Sequence, residues 1–291
     1  MKRPKRAFRM SSLPPVPLTI EGASCLHQMY RFRWRHWLKL DCFHQRQVVA
    51  EATKLLGPLE AGTGAANTKR SAVYSLLGHK GDLLLVHFRD SLEELNQLEV
   101  ELARLEISEF LEVQSSYLSV VELGLYDSTV KTYQSLSDQG IAPYSAEWNQ
   151  AIAEVTERQR TAMAARLYPV IPNSKYICFY PMDRKRGETQ NWYTVPMTER
   201  QRLMHEHGLV GRRHADQVKQ IISGSIGFDD WEWGVDLFSD DPVAFKRLIY
   251  EMRFDEVSAV YAAFGTFYVG VRVRVSELPQ LLGLSATANP S

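Results

Sequence analysis

The sequence predicts an α+β fold made of two β-α-β-β-α-β halves, each in the ferredoxin-like order, whose sheets pack face to face as an αβ barrel. Three observations carry this expectation. The chain has 291 residues, enough for one large core or two ordinary ones. Its apolar pattern alternates between strand and helix periodicity in the same order twice. Two distant segments also match in kind: Gly81-Asp82-Leu83 to Glu94 and Phe228-Asp229-Asp230 to Phe245 each combine a turn, a strand, an acidic cap and an apolar helix.

In the first half, Leu26 to Trp37 alternates as a strand does, and Phe43 to Leu59 has helical spacing through Val48, Val49, Leu55 and Leu56. Residues 62–69 are small and predict a loop. Strands follow over Ser71 to Leu77 and Asp82 to Phe88, joined by the turn Gly78-His79-Lys80-Gly81. Ser91 with Glu94 forms a capping box, and Leu92, Leu95, Leu98, Leu102 and Leu105 give the helix behind it a buried stripe. Tyr117 to Leu123 closes the half as a strand.

The second half runs in the same order. Tyr176 to Met182 is a strand; Thr198 with Gln201 predicts a capping box for a helix that stops at Gly208. Strands over Val218 to Ser223 and Trp231 to Phe238 come next. Asp241-Pro242 opens a helix bearing Phe245, Leu248, Ile249 and Met252, and Phe264 to Val273 is the last strand. Between the halves, Gly124 to Gly140 is polar and turn-rich, a candidate gate, and Ser145 to Arg166 is a connecting helix. The expected boundaries are a basic, proline-rich disordered tail over 1–20, halves over 21–124 and 171–275 with a connector over 125–170, and a second tail over 276–291.

Thirty-four Lys and Arg balance 34 Asp and Glu, so nothing in the global charge points to nucleic acid. No apolar run is long enough to span a bilayer. Cys25, Cys42 and Cys178 are odd in number and far apart, which suggests no disulfide framework or zinc ribbon and fits a reducing cytoplasm.

The segment Tyr180 to Trp233 gathers a phenol, a histidine before a glycine and several cations. Singly, each has a commoner, ordinary reading. Tyr180, followed by Pro181, is a strand-end tyrosine at a rim or an ordinary half-buried one. His207 is an imidazole over helix C-terminal carbonyls or a ligand. His205 and His207, two apart on a helix, face opposite ways, so any metal would have a single imidazole. Arg184, Lys185 and Arg186 form a solvated run or a clamp for carboxylates. Trp192, Trp231 and Trp233 are core or interface aromatics.

Their order carries more. Tyr180-Pro181-Met182, Asn191-Trp192-Tyr193, Leu203-Met204-x-Glu206-His207-Gly208, Val218 to Ser225, Asp229-Asp230-x-Glu232-Trp233-Gly234 and Tyr250 to Ala259 resemble coproheme decarboxylase, the haem-forming branch of the chlorite dismutase-like superfamily. Tyr74 to Lys80 and Tyr117-x-Ser119-Val120-Val121-Glu122-Leu123 extend the likeness, which covers about Leu26 to Val273. The resemblance implies homopentamers of the dimeric αβ-barrel superfamily, working in the cytoplasm and in contact with coproporphyrin ferrochelatase. It implies that hydrogen peroxide removes two propionate carboxyls from iron coproporphyrin III, at once substrate and cofactor, to leave haem b.

Position by position, the resemblance makes His207 the iron's proximal ligand and Tyr180 the radical-forming tyrosine that takes hydrogen from a propionate. Arg166 and Ser258 fall on propionate-binding positions, Gln220 on a distal glutamine, and Met182, Trp192 and Trp233 on pocket residues. The family's pattern often has Lys four residues after the tyrosine; here Arg184 stands there, followed by Lys185. Either could act in the second decarboxylation. Chlorite dismutase, which resembles this chain but holds a distal arginine where Gln220 stands, and a haem carrier without catalysis are the competing readings.

Overall fold

A computed structural model describes residues 13–62 and 70–284. The first half runs β1 (Thr19–Phe32), the short helix α1 (Trp34–Trp37), α2 (Cys42–Ala61), β2 (Ser71–Leu76), β3 (Leu83–Arg89), α3 (Leu92–Ala103) and β4 (Leu111–Gly124). β1 begins before the expected Leu26 and ends at Phe32, whose N–H is taken by the Asp82 carboxylate at 2.7 Å while Arg33 N–H donates to the Phe110 carbonyl. Asp41 caps α2 through the His44 N–H. Ser91 caps α3 through Glu94 N–H, while the Glu94 carboxylate reaches back to Asp90 N–H. Leu95, Leu98 and Leu102 form the buried stripe; Leu92 at the helix start is exposed.

The expected gate is a helix, α4 (Tyr126–Asp138), followed by α5 (Ala146–Ala162) and α6 (Ala164–Leu167). Thr129, Tyr133 and Leu136 recur at helical spacing and are buried, which overrides the turn-rich composition. The second half continues with β5 (Tyr176–Arg184), α7 (Met197–Arg213), β6 (Lys219–Gly224), β7 (Trp233–Ser239), α8 (Pro242–Met252), α9 (Glu256–Tyr261), β8 (Ala262–Phe264) and β9 (Tyr268–Val273), with α10 (Leu278–Leu281) after it. The capping box expected at Thr198 is not formed: Pro196 stands at the cap without a side-chain bond. Nor does the helix stop at Gly208. It continues to Arg213 and buries Val210, and the gain from that burial outweighs the roughly 1 kcal/mol that a mid-helix glycine costs.

The nine strands form one antiparallel sheet in the order β7-β6-β4-β1-β3-β2-β9-β5-β8, and β5 also pairs with β7 from Tyr176 to Met182. Two seams join the halves: β4 to β6 through Val120 and Val121, and β2 to β9 from Val73 to Leu76. One core packs α2, with Leu102 of α3, against β1, β2 and β3; another packs α8 against β5 and β7. A third, including Tyr74, Phe88, Tyr117, Phe179 and Phe238, lies between the halves. There the buried His27 ring stacks on Phe179 at 4.1 Å and its Nε2 lies 2.9 and 3.1 Å from the two Asp236 oxygens. Gly234 leaves room for this layer, since a Cβ on it would lie 2.6 Å from the Tyr117 ring.

Residues 13–20 and 276–284, expected to belong to the tails, are part of the fold. Tyr133 Oη donates to the Val16 carbonyl at 3.0 Å, Leu18 N–H donates to Thr129 Oγ1 at 2.9 Å, and residues from Thr19 onward are strand. At the other end Trp37 Nε1 donates to the Leu282 carbonyl at 2.9 Å, and Leu278, Leu282 and Leu284 are buried in the first half's core. Residues 1–12, 63–69 and 285–291, which include most of the expected small-residue loop, lie outside the described residues.

Candidate functional site

Side chains alternate along a strand, so Tyr180, Met182 and Arg184 of β5 share one face, and Lys185 lies just past the strand's end. The Tyr180 face is the one covered by α8: Cys178 and Tyr180 pack with Val235, Leu237 and Phe245. Tyr180 is buried, its ring stacked on Phe267 at 4.4 Å and tilted against Phe264 at 5.9 Å. Burial, with the Cys178 thiol nearby, raises the phenol's pKa well above its usual value despite the opposing influence of Arg253 and Arg184. A neutral phenol is therefore held here at any ordinary pH.

Strand register lays out the rest of this floor. Met182 pairs with Trp233 on β7, Tyr180 with Val235, and Gln220 on β6 pairs with Leu237. Two strand spacings and one pleat repeat separate the backbones of Tyr180 and Gln220 by about 12 Å. Gln220 faces α7: its Nε2 lies 3.4 Å from where a Cβ on Gly211 would stand, beside the Met252 methyl. Gly211 is one turn beyond His207. Gln220 thus packs against α7 one turn beyond His207.

The imidazole is oriented. His207 Nδ1 lies 3.0 Å from Asp255 Oδ2, and Asp255 also accepts from Ser258 Oγ at 2.8 Å and Ser258 N–H at 3.2 Å. Burial pushes the Asp255 pKa up, but His207 and Ser258 outweigh it and hold the group below the usual carboxylate range. An ionised carboxylate only accepts, so Nδ1 carries a proton, and the neutral form of the ring then has its lone pair on Nε2. That is the tautomer a metal ligand needs. Ser258, expected at a propionate, has its hydroxyl committed to Asp255. Asp255 itself was not singled out, although its position before a short helix with Ser258 three residues on is an N-cap signal.

Arg184 is buried, and its guanidinium has no carboxylate partner among the described residues. The charge sits 5.1 Å over the Trp192 ring, Nη2 lies 3.6 Å from Met204 Sδ, and Nη1 is buried without a hydrogen bond. Glu232 is engaged elsewhere, with the Arg184 backbone N–H at 2.9 Å and with Arg186 at 3.5 Å. Desolvation lowers the Arg184 pKa, a cost that an incoming anion would relieve. Lys185 instead reaches Gln190 Oε1 at 3.3 Å. Trp192 is itself core, packed with Leu203 and Val257, and serves as the stacking plate for Arg184. Arg166 is exposed on α6, with Nη1 3.6 Å from Met163 Sδ and no contact with this floor given by the geometry.

The family model for chlorite dismutase matches residues 45–273. A heme-binding protein from Thermus thermophilus has 37% identity and a TM-score of 0.78, over 94% of this chain and 99% of that one. The chain belongs to the chlorite dismutase family. A single-site variant of chlorite dismutase from Candidatus Nitrospira defluvii has the same fold at 15% identity and a TM-score of 0.64, covering 90% of this chain and 94% of that one. A second variant of that enzyme gives a TM-score of 0.66 at 15% identity, with 90% and 96% covered. The family includes an oxidoreductase, chlorite dismutase, and its members share this mixed α+β fold with an antiparallel sheet.

The described residues contain no group of three or more His, Cys, Asp or Glu side chains that could hold a metal ion, and no helix long and apolar enough to cross a membrane. The free Nε2 of His207 and the unpartnered nitrogen of Arg184 fit an iron centre with carboxylate arms.

Proposed function

We propose that the protein is a coproheme decarboxylase, using hydrogen peroxide to convert iron coproporphyrin III into haem b. The observation that carries this reading is the face shared by Tyr180 and Arg184: a neutral buried phenol and, four residues further along the same strand face, a buried guanidinium that has no anion among the described residues. The substrate brings both its iron and its carboxylates. For each propionate, one peroxide is reduced to two waters while the arm loses one β-hydrogen and its carboxyl group as carbon dioxide, leaving a vinyl group.

In this reading Tyr180 gives up its hydrogen atom to the oxidised substrate and then takes one from the β-carbon of the nearest propionate. Arg184, and not Lys185, holds a carboxylate on that face, so that the C–H bond stays within reach of the phenol. His207, fixed by Asp255, binds the iron through Nε2. Gln220, Met182 and Trp233 shape the floor, and Arg166 acts at the rim. The two β-α-β-β-α-β halves are read as a duplication whose cyclic strand pairing is the αβ barrel of the superfamily, assembled as a homopentamer that passes substrate from the ferrochelatase.

Chlorite dismutase activity fits less well, because a neutral amide at Gln220 is a poor trap for an anionic intermediate. A carrier has no use for Tyr180. Mass spectrometry of the porphyrin after adding coproheme and stoichiometric peroxide tests the reading. Loss of two carboxyls supports it; oxygen release from chlorite at high turnover, or an unmodified porphyrin, overturns it.

A further inference from the structure

Three exposed arginines of α7 and α8 are matched by carboxylates: Arg202 touches Glu199, Glu206 and Glu256, Arg213 touches Glu251, and Arg247 touches Asp241. Arg200 is different. It is only 3% exposed and donates through Nη2 to the Pro15 carbonyl, yet its Nε is buried without a partner. No carboxylate lies within ion-pair distance among the described residues. Such a donor has lost water and gained nothing, which is costly unless a ligand completes it.

Space for that ligand adjoins it. Arg200 borders a groove of about 460 Å³ lined by Leu13 and Pro15, by Val130 and Tyr133 of α4, and by residues 193–198. The volume is that of a small-molecule site, and the lining is mostly apolar. Arg200 also lies on the His207 face of α7, seven residues and therefore two turns, about 10 Å, towards the N-terminus. Leu203 and Met204 occupy the turn between them and pack with Trp192, the plate beneath Arg184. Arg184 and Arg200 both act on the phenol of Tyr126, so the two unsatisfied guanidinium groups share one neighbourhood.

We infer that Arg200 is a further substrate-binding residue, which receives one carboxylate arm of the macrocycle in this groove while Arg184 receives another. The nature of the macrocycle rests on the proposed function; the role of Arg200 concerns binding alone. A carboxylate entering from the groove meets an unpartnered N–H in a desolvated setting, where a charge-assisted bond is at its strongest.

The test titrates the full-length protein with iron coproporphyrin III and, in dilute detergent, with its tetramethyl ester, following tryptophan quenching and the porphyrin absorbance. Arg200→Met should weaken binding of the free acid by about ten- to a hundredfold and leave the ester unchanged. Equal weakening of both would mean that Arg200 only holds the fold, and no weakening of either would mean that it is idle; both overturn the inference. Val130→Glu, which sets a competing carboxylate in the groove without removing the buried arginine, should reproduce the selective loss. If Arg200→Met does not fold, unchanged acid binding in Val130→Glu overturns the inference alone. Selective loss together with no carbon dioxide from the native protein and peroxide would keep the Arg200 assignment and reject the decarboxylase reading.

Discussion

His207 and Asp255 form a hydrogen-bonded pair at 3.0 Å that fixes the imidazole as its Nδ1–H tautomer. The side chain is 24% exposed at the histidine and 7% at the aspartate, so the pair is sheltered on one side and open on the other. His207→Ala should change the absorbance spectrum of bound coproheme and weaken its binding only modestly, because in the proposed reading carboxylate contacts supply much of the affinity. Asp255→Asn should retain coproheme but lower the iron–histidine stretching frequency, since the amide makes the imidazole a weaker donor. Optical titration and resonance Raman spectroscopy check both, and an unchanged spectrum in His207→Ala would remove it as the ligand.

Tyr180→Phe keeps the ring stack with Phe267 and removes only the hydroxyl. Coproheme should bind within about threefold of the native affinity while carbon dioxide release falls by at least about a hundredfold. Native-rate formation of haem b by this variant would show that the phenol is not the hydrogen abstractor.

The fold was legible where periodicity was strong and the site where motifs were long. The capping aspartate before Pro242 and the stripe Leu95, Leu98, Leu102 could be read directly, because local chemistry and burial demand the same conformation there. Three things could not. α4 hides under a turn-rich composition and is held by contacts with α7 and residues 16–18 that no window of sequence contains. The continuation of α7 past Gly208 depends on burying Val210. The partner of His207 lies 48 residues away.

Arg184→Met removes a buried charge with one nitrogen unpartnered, so it should not cost folding stability as the loss of a paired charge does. Its effect should fall on substrate: about a tenfold or greater loss of coproheme affinity and accumulation of a product that has lost a single carboxyl. Lys185→Met, at a residue whose ammonium reaches Gln190, should do neither. Chromatography of the porphyrins after peroxide addition separates the two, and an intermediate that accumulates in Lys185→Met alone would reverse the assignment.

The His27–Asp236 pair bridges the halves from β1 to β7 with both side chains almost fully buried. Removing one partner leaves the other's polarity uncompensated, so Asp236→Ala should lower unfolding free energy by about 3–5 kcal/mol. Exposed pairs such as Arg247–Asp241 should contribute less than about 1 kcal/mol. Urea denaturation of the two aspartate variants makes the comparison. Equal effects would mean that the interlayer pair does not hold the halves together.

His87 predicts an acid limit. Burial, with the Arg89 and His27 charges beside it, lowers its pKa to about 3, and its Nδ1 lies 2.7 Å from Ser71 Oγ. The unfolded chain protonates this imidazole near its ordinary pKa of about 6.5, whereas the folded chain resists until about 3. Between those values the unfolded state binds the extra proton, so stability is complete above about 6.5 and falls as pH drops through the window, by a few kcal/mol in all. His87→Gln lacks the titration and should flatten that slope while costing some stability at neutral pH. Chemical denaturation of both proteins at a series of pH values measures the slopes, and identical slopes would show that His87 is not the group that titrates.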